Sequence, residues 1–315
     1  MASLDNESTL LDFEEVSEGV SESPDKKVKL GNTRVTGKEQ YYTPNDTAQE
    51  VFKNLIEMVP NLSSRVFIEP AGGTGSFINA AIKVGIKDII SYDIEPHHPK
   101  VKAGDFLLQQ IDAVDAITVT NPPFGRNNSL SIPFFNHSAK TSEYIVFVVP
   151  RSWRKWTVQN KLDRRFELIR DDDLTINYVD VNGEHGYKNN NLRTCIQYWK
   201  RSDTNLRQIY AVEDMGIITK CKFDEADVSL TIFGYGCGTV KTDFPRKANT
   251  TQMFLKLNHP MALEALQSVD FSRFFNHTAY TEALSIVEIN YLLNQYIYGD
   301  PKMKTEDCKN LFDQS

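Results

Sequence analysis

Four consecutive residues, Asn121, Pro122, Pro123 and Phe124, carry the most specific chemistry in the chain. The amide oxygen of Asn121 and the carbonyl of Pro122 can both accept hydrogen bonds from one NH2 group, and the two prolines stiffen the loop that aims them. Phe124 can then stack on the ring that carries the amine. Such an amine is a poor nucleophile because its lone pair is delocalised into the ring. Two acceptors that draw its hydrogens toward a tetrahedral arrangement localise that pair on the nitrogen, which is stabilisation by preorganised dipoles. A neutral amide does this without adding an unpaired charge to the site. Upstream, a short apolar strand at 65–68 runs into Glu69, Pro70 and a turn containing Gly72, Gly73 and Gly75, followed by a helical stretch at 76–84. Small residues in that turn let a ligand approach the backbone closely.

The order of these motifs resembles that of the adenine-specific amino-methyltransferases that use S-adenosylmethionine (SAM), particularly the DNA enzymes of the gamma arrangement. The segment 37–44 is similar to the piece that in those enzymes helps hold the methionine end of the cofactor, with Tyr42, Thr43 and Pro44 as the matching residues. Glu69, Pro70, Gly72, Gly73 and Gly75 match the cofactor loop. Asp93, followed by Ile94, falls where the family sets an acid against the ribose hydroxyls, and a carboxylate accepting two hydroxyl hydrogen bonds explains that choice. Asp105 falls where the family's acid meets the cofactor's adenine amine, with Phe106 beside it. Similar pieces continue at 134–138, 148–153, 159–163, 197–199 and 283–289, as in a group of viral, phage and bacterial adenine-type methyltransferases, so the resemblance covers about residues 36–298. Trp153 and Trp156 depart from it, standing where many relatives carry smaller or less polarisable residues, so substrate contacts there are expected to differ.

The resemblance implies SAM as cofactor, DNA as partner and methyl transfer to the exocyclic amine of adenine by direct in-line attack, without a metal or a covalent intermediate. Positioning alone lowers such a barrier by several kcal/mol, about 7–11 in well-aligned cases. In duplex DNA the target base must leave the stack, at a cost of a few kcal/mol. Adenine in RNA is the alternative substrate, and a catalytically silent nucleic-acid-binding relative is a third reading. Related enzymes that methylate a glutamine side chain usually carry tyrosine in place of Phe124 and an N-terminal helical domain, neither of which the sequence presents.

The elements that must hold these residues alternate: helix 46–58, strand 65–68, helix 76–84, strand 87–92, strand 116–120, helix 130–140, strand 144–149 and a basic helix 153–165. This predicts an α/β fold, a mostly parallel sheet with helices on both faces, and the resemblance implies that it is a Rossmann-like class I SAM-dependent methyltransferase sheet. Segments 174–181 and 193–199 read as a terminal hairpin that makes the last strand antiparallel. Short strands at 208–212 and 228–234, then helices near 261–268 and 282–297, predict a small C-terminal α+β appendage. The expected division is an acidic, disordered tail at 1–33, a catalytic domain at 34–203 and the appendage at 204–315, which offers further surface for substrate recognition.

Composition fits this frame. The first 25 residues hold eight acidic residues and no Lys or Arg, so the remaining chain sets 35 basic against 34 acidic residues, and the net charge of −7 says little against a nucleic-acid substrate. Four cysteines (Cys195, Cys221, Cys237 and Cys308) without a C-x-x-C pair or a secretory signal predict reduced thiols in a soluble, intracellular protein with no membrane segment. No nuclease motif is evident, which leaves a nuclease partner of the restriction-modification kind open.

Each motif has a plainer reading. Gly73 and Gly75 could belong to a dinucleotide site, but the third glycine is missing, with Asn79 near its place. Arg151, Trp153, Arg154 and Lys155 mix cations and an aromatic as a substrate contact would, or form a helix surface over buried tryptophans. His97 and His98 lack the spaced acids or cysteines of a metal site and read as an exposed loop. The stretch 183–188 is either a loop over the target base or a plain hairpin turn, and Arg246 and Lys247 are weak candidates for backbone contact.

Overall fold

The computed structural model describes residues 41–184, 192–245 and 251–307. The acidic tail, residues 37–40 of the upstream segment, the loop residues 185–188, Arg246, Lys247 and Cys308 lie outside the described residues. In chain order the first body contains α1 (Asn45–Met58), β1 (Phe67–Glu69), α2 (Ser76–Lys83), β2 (Ile89–Asp93), β3 (Lys102–Ala103), β4 (Ala116–Thr120), α3 (Ser131–Ser138), β5 (Ser142–Pro150), α4 (Trp156–Gln159), β6 (Phe166–Leu174) and β7 (Thr194–Arg201). Its seven strands form one sheet in the order β3-β2-β1-β4-β5-β7-β6, with β7 antiparallel to both neighbours and the pairs from β3 to β5 parallel. The parallel strands, the reversal of strand order at β1 and the antiparallel β7 match the Rossmann-like sheet that the sequence predicts.

Its centre is a consequence of composition. Every residue of β4 is buried, and β5 is apolar over nearly all its length, because a parallel strand covered on both faces cannot alternate with polar residues. Successive side chains of β5 enter opposite cores. Tyr144, Val146 and Val148 pack with Phe52, Phe67 and Phe77 on one face. Ile145, Phe147 and Val149 pack with Phe106, Phe135 and Trp199 on the other. Helix α1 buries Ala48, Val51, Phe52 and Leu55, spaced to fall on one helical face, into the first of these cores.

A second body contains β8 (Ile218–Lys220), β9 (Val228–Thr231), β10 (Val240–Lys241) and β11 (Gln252–Leu257), an antiparallel sheet in the order β10-β9-β11-β8, with α5 (Ala262–Ser268) and α6 (Ile286–Tyr298) packed against it. Helix α6 opens on a capping box between Ser285 and Glu288 and stops at the left-handed Gly299. Strands β8, β10 and β11 were not anticipated, because each is short or sits among polar residues. The expected strand 208–212 is irregular, and its Tyr210 instead stacks on Trp156.

Two further expectations fail in the first body. The basic helix 153–165 is only a short 3-10 turn, Arg151–Arg154, and the four-residue α4, after which the chain turns into β6. Asp163 accepts the Arg165 backbone N–H at 2.9 Å and its guanidinium as well, a local alternative that competes with helical hydrogen bonding. The outer hairpin strand lies at Phe166–Leu174 rather than 174–181, where β6 pairs along the whole of β7. Of the expected segment, Val179 makes a single antiparallel bridge to Tyr42.

The bodies meet at Trp156, whose ring stacks on Tyr210 at 4.5 Å and 12° and lies 5.0 Å from Tyr291 and 5.6 Å from Phe274. Beside it Lys155 pairs with the buried Glu288 at 3.3 Å. Trp156→Ala is expected to cost about 3 kcal/mol, near the value for emptying an aromatic site, and to lower the urea midpoint. A midpoint equal to that of the unchanged chain would mean that Trp156 does not join the two bodies.

Candidate functional site

The carboxyl ends of β1, β2 and β4 surround a cavity of about 400 Å³, at the point where the strand order reverses and α/β sheets place ligands. The sequence-predicted residues Tyr42, Pro70, Gly73, Asp93, Ile94, Asp105, Phe106, Asn121, Pro122, Pro123 and Phe124 all line it. Parallel strands of one sheet end on the same side, which brings motifs far apart in sequence onto a single wall.

Asp93 ties two turns of this wall together. One carboxylate oxygen accepts the Gly73 N–H at 2.8 Å and the other the Glu95 N–H at 2.9 Å. Gly73 has a positive φ of 44°, and a Cβ there would stand 2.6 Å from the Tyr42 ring, so no other residue fits between that ring and the turn. Asp105 accepts the Leu107 N–H at 2.9 Å and starts a short 3-10 turn that presents Phe106. The Phe106 ring is buried against Phe134, at 5.5 Å, and His137, at 4.8 Å.

Asn121 is held from the opposite wall. Its Nδ2 donates to the Tyr41 carbonyl at 2.8 Å, while its Oδ1 is buried and has no hydrogen-bond partner among the described residues. A donor fixed on one side forces the amide to present its acceptor on the other, beside Pro122 and Pro123. Eleven buried side-chain polar atoms lack a partner among the described residues, and Asn121 is the one residue among them that lines the cavity, so its oxygen is the one a bound ligand could satisfy.

The remaining predicted residues lie elsewhere, and each has a physical reason. A Cβ on Gly72 would meet Ser91 Oγ at 2.3 Å and Val101 at 2.6 Å, so this glycine serves the packing of β1 against β2. Gly75 is the left-handed N-cap of α2 and is covered by His98, which packs there. Pro44 precedes α1 as its N-cap, Thr43 is buried behind Tyr42, and Glu69 is buried below the turn. Among the described residues, no group of three or more His, Cys, Asp or Glu gathers as a metal site, and no helix is long and apolar enough to cross a membrane.

The structure places the four residues expected to contact substrate away from the cavity. Trp153 is completely buried, donates to Ser131 Oγ at 3.2 Å and packs edge-on against Phe135. Arg154 is paired with Asp171 and, at 2.8 Å, with Asp173. Arg151 is paired with Asp173 at 3.0 Å, and Lys155 with Glu288. Their positive charge is compensated within the protein, and none of the four lines the cavity. The cavity also includes residues that sequence reasoning passed over: Tyr41, Ala71, Glu95, Gly104, Leu107, Leu130 and Phe134. Five of these, Tyr41, Ala71, Glu95, Gly104 and Leu107, directly adjoin predicted residues. The spacing of Leu130 and Phe134 at i and i+4 gives one face at the start of α3, a pattern visible in the sequence.

No known protein family's sequence profile matches the chain, and no curated protein matches it by sequence. Among solved structures it is similar to a candidate RNA methyltransferase from Pyrococcus horikoshii, with 17% identity and a TM-score of 0.41 over 55% of this chain and 92% of that one. It is also similar to the M protein of the type I restriction enzyme EcoKI, with 17% identity and a TM-score of 0.39 over 54% of this chain, and it spans about half (46%) of that protein's length. A third is magnesium protoporphyrin IX methyltransferase from Synechocystis, solved with bound SAM, at 15% identity and a TM-score of 0.36 over 50% of this chain and 79% of that one.

Below the cavity, burial holds the Glu69 carboxyl well above its ordinary value of 4.5, and the Thr120 hydroxyl and the Ala71 N–H offset this only in part. A carboxyl whose pKa is raised by folding contributes stability that is complete below pH 4.5 and is lost as pH rises through the folded value. Glu69→Gln keeps an oxygen for the Ala71 N–H and removes the titration. Between about pH 5 and about pH 8 the urea midpoint of the unchanged chain is therefore expected to fall relative to that of the Glu69→Gln variant. A relative rise would contradict the burial argument.

Proposed function

We propose that the chain transfers a methyl group from SAM to the exocyclic amine of adenine in DNA. The observation that carries this reading is Asn121 Oδ1, an unpaired buried acceptor held in orientation by Tyr41 and set beside two prolines and Phe124 in the cavity.

The cavity fits the cofactor. Gly73 lines the cavity with the Tyr42 ring packed on it, and each oxygen of Asp93 retains a second lone pair after accepting its backbone N–H. Asp93, with Glu95 on the same wall, would accept hydrogen bonds from the ribose hydroxyls. Asp105 would accept from the adenine amine of the cofactor, and Ile94 and Phe106 provide the apolar walls. When bound, SAM supplies an electrophilic methyl group on a sulfonium.

The rest is done by the chain. The Asn121 oxygen and the Pro122 carbonyl accept the two hydrogens of the substrate amine and localise its lone pair toward the methyl group. Phe124 stacks on the base. Because the Asn121 oxygen is buried, a base in a duplex must be extruded to reach it, at a cost of a few kcal/mol. As the amine nitrogen bonds the methyl carbon, the carbon–sulfur bond breaks and its electron pair stays on sulfur as a neutral thioether; the attack needs no general base, since the cationic nitrogen then loses its proton to water. DNA is preferred over RNA because the sequence of the 39–44 segment, of which Tyr41 and Tyr42 border the cavity, is more similar to that of the DNA enzymes.

The direct test incubates tritiated SAM with unmethylated duplex DNA, single-stranded DNA and structured RNA, followed by nucleoside analysis. Label in DNA as N6-methyladenine is expected, and label confined to RNA would reverse the substrate assignment. Asn121→Ala is expected to lower turnover by at least about 100-fold while the Kd for SAM stays within about twofold. Unchanged turnover would remove Asn121 from the mechanism. Asp93→Ala is expected to weaken SAM binding before it affects anything else, as measured by calorimetry.

A further inference from the structure

The most exposed aromatic in the described structure is Tyr235, with a relative accessibility of 105%. It stands at the tip of the hairpin between β9 and β10. The turn closes through the Cys237 N–H to the Gly234 carbonyl at 3.0 Å, the Thr239 N–H to the Gly236 carbonyl at 3.0 Å and the Gly238 N–H to the Thr231 carbonyl at 2.7 Å. Gly234 and Gly236, on either side of Tyr235, both have φ of 77°, a conformation that costs other residues about 1 kcal/mol or more. Phe233, next along, is about half exposed. A single exposed aromatic is ordinary on a protein surface, but this one is raised on a turn that is hydrogen-bonded throughout, and it contributes nothing to either core.

Its location gives it a use. Residues 279–284 carry the hairpin: Gly234 N–H bonds to the Glu282 carbonyl and Leu284 N–H to the Ile232 carbonyl, each at 2.9 Å. The same strap reaches the sheet edge that bears the cavity. Arg193 N–H donates to the Ala279 carbonyl at 2.6 Å, and Arg151 N–H to the Arg193 carbonyl at 3.0 Å, at the junction where β5 ends and β7 begins. Asn121 follows β4 at that same edge, because Thr120 pairs with Phe147 of the parallel β5. At the same edge Tyr178 packs at 5.3 Å against Tyr41, the residue that orients Asn121. Backbone hydrogen bonds thus tie the hairpin, through residues 279–284 and Arg193, to the end of β5, the strand that pairs beside the Asn121 loop.

We propose that Tyr235 is a DNA-contacting residue that stacks on a base beside the extruded adenine. The inference rests on the proposed function, since extrusion of the target exposes the faces of its neighbours and an aromatic ring can replace the lost stack. Every base has such a face, so the contact strengthens binding without choosing a sequence. This supplies an aromatic contact that the buried Trp153 cannot make.

The test uses the full chain with Tyr235→Trp as an optical reporter. Trp153 and Trp199 are completely buried and Trp156 is stacked on Tyr210, so a tryptophan at the hairpin tip would be the accessible emitter. Sonicated unmethylated DNA, which contains every short sequence, is expected to quench its emission and shield it from acrylamide, with little change in the unsubstituted chain. In turnover assays Tyr235→Ala is expected to raise KM for DNA about 10-fold, with kcat and the Kd for SAM nearly unchanged, while Tyr235→Phe stays within about twofold. Unaltered emission in the presence of DNA, or shielding by RNA alone, overturns the proposal. So does a KM unaffected by Tyr235→Ala in a chain that methylates DNA, an outcome that leaves the proposed function intact. Shielding by DNA without any methyl transfer upholds the contact and refutes the proposed function instead.

Discussion

The arrangement turns on one hydrogen bond, from the side-chain amide of Asn121 to the carbonyl of Tyr41. An amide has a donor end and an acceptor end, and only the acceptor end can orient an amine. A backbone carbonyl is a fixed acceptor, so it selects which end of Asn121 faces the cavity. Tyr41 is in turn held by its neighbours: the adjacent Tyr42 pairs with Val179, and the Tyr41 ring packs on Tyr178. The geometry of one side chain at the end of β4 therefore depends on a strap that crosses the mouth of the sheet from the opposite end of the domain.

The second requirement is that the surrounding charges stay compensated. Asp93 holds two turns by accepting backbone N–H groups, and Asp105 starts the turn that carries Phe106. On the far side, Arg151, Arg154, Asp171 and Asp173 form a network in which cations and carboxylates neutralise one another, with Gln197 donating to Asp171 at 2.8 Å. Charged groups that are partly removed from water must be paired in this way, because the interior disfavours an isolated ion strongly. A basic cluster in a sequence is consequently poor evidence for a phosphate site until the positions of nearby acids are known. Here the acids come from β6, a different strand.

Much of the first body is legible in the sequence. Strand β4 matches its expected bounds, and α1, α2, α3, β2 and β5 differ from theirs by one or two residues at an end, because apolar periodicity and flanking turn residues are local signals. The segment after β5 departs from its expected helix for the opposite reason. Val158, Leu162 and Phe166 have helical spacing, but the Asp163 side chain bonds the local backbone and the pairing of β6 along β7 outweighs that spacing. The second sheet was largely hidden because β8 and β10 have three and two residues, too few to show a period.

The sequence by itself determined the types and order of the groups that could do chemistry: a neutral acceptor followed by two prolines and an aromatic, a glycine turn after a strand, and acids at strand ends. It determined these because each depends on covalent structure or on a few adjacent residues. Only the tertiary structure decided which of them share a cavity, and it placed Gly73 on the wall but Gly72 and Gly75 behind it, although the three lie within four positions. Only the tertiary structure, likewise, buried Trp153, paired Arg154 and left Tyr235 in the open. Burial and pairing are properties of segments distant in sequence that meet in space, and no local pattern encodes which partner arrives.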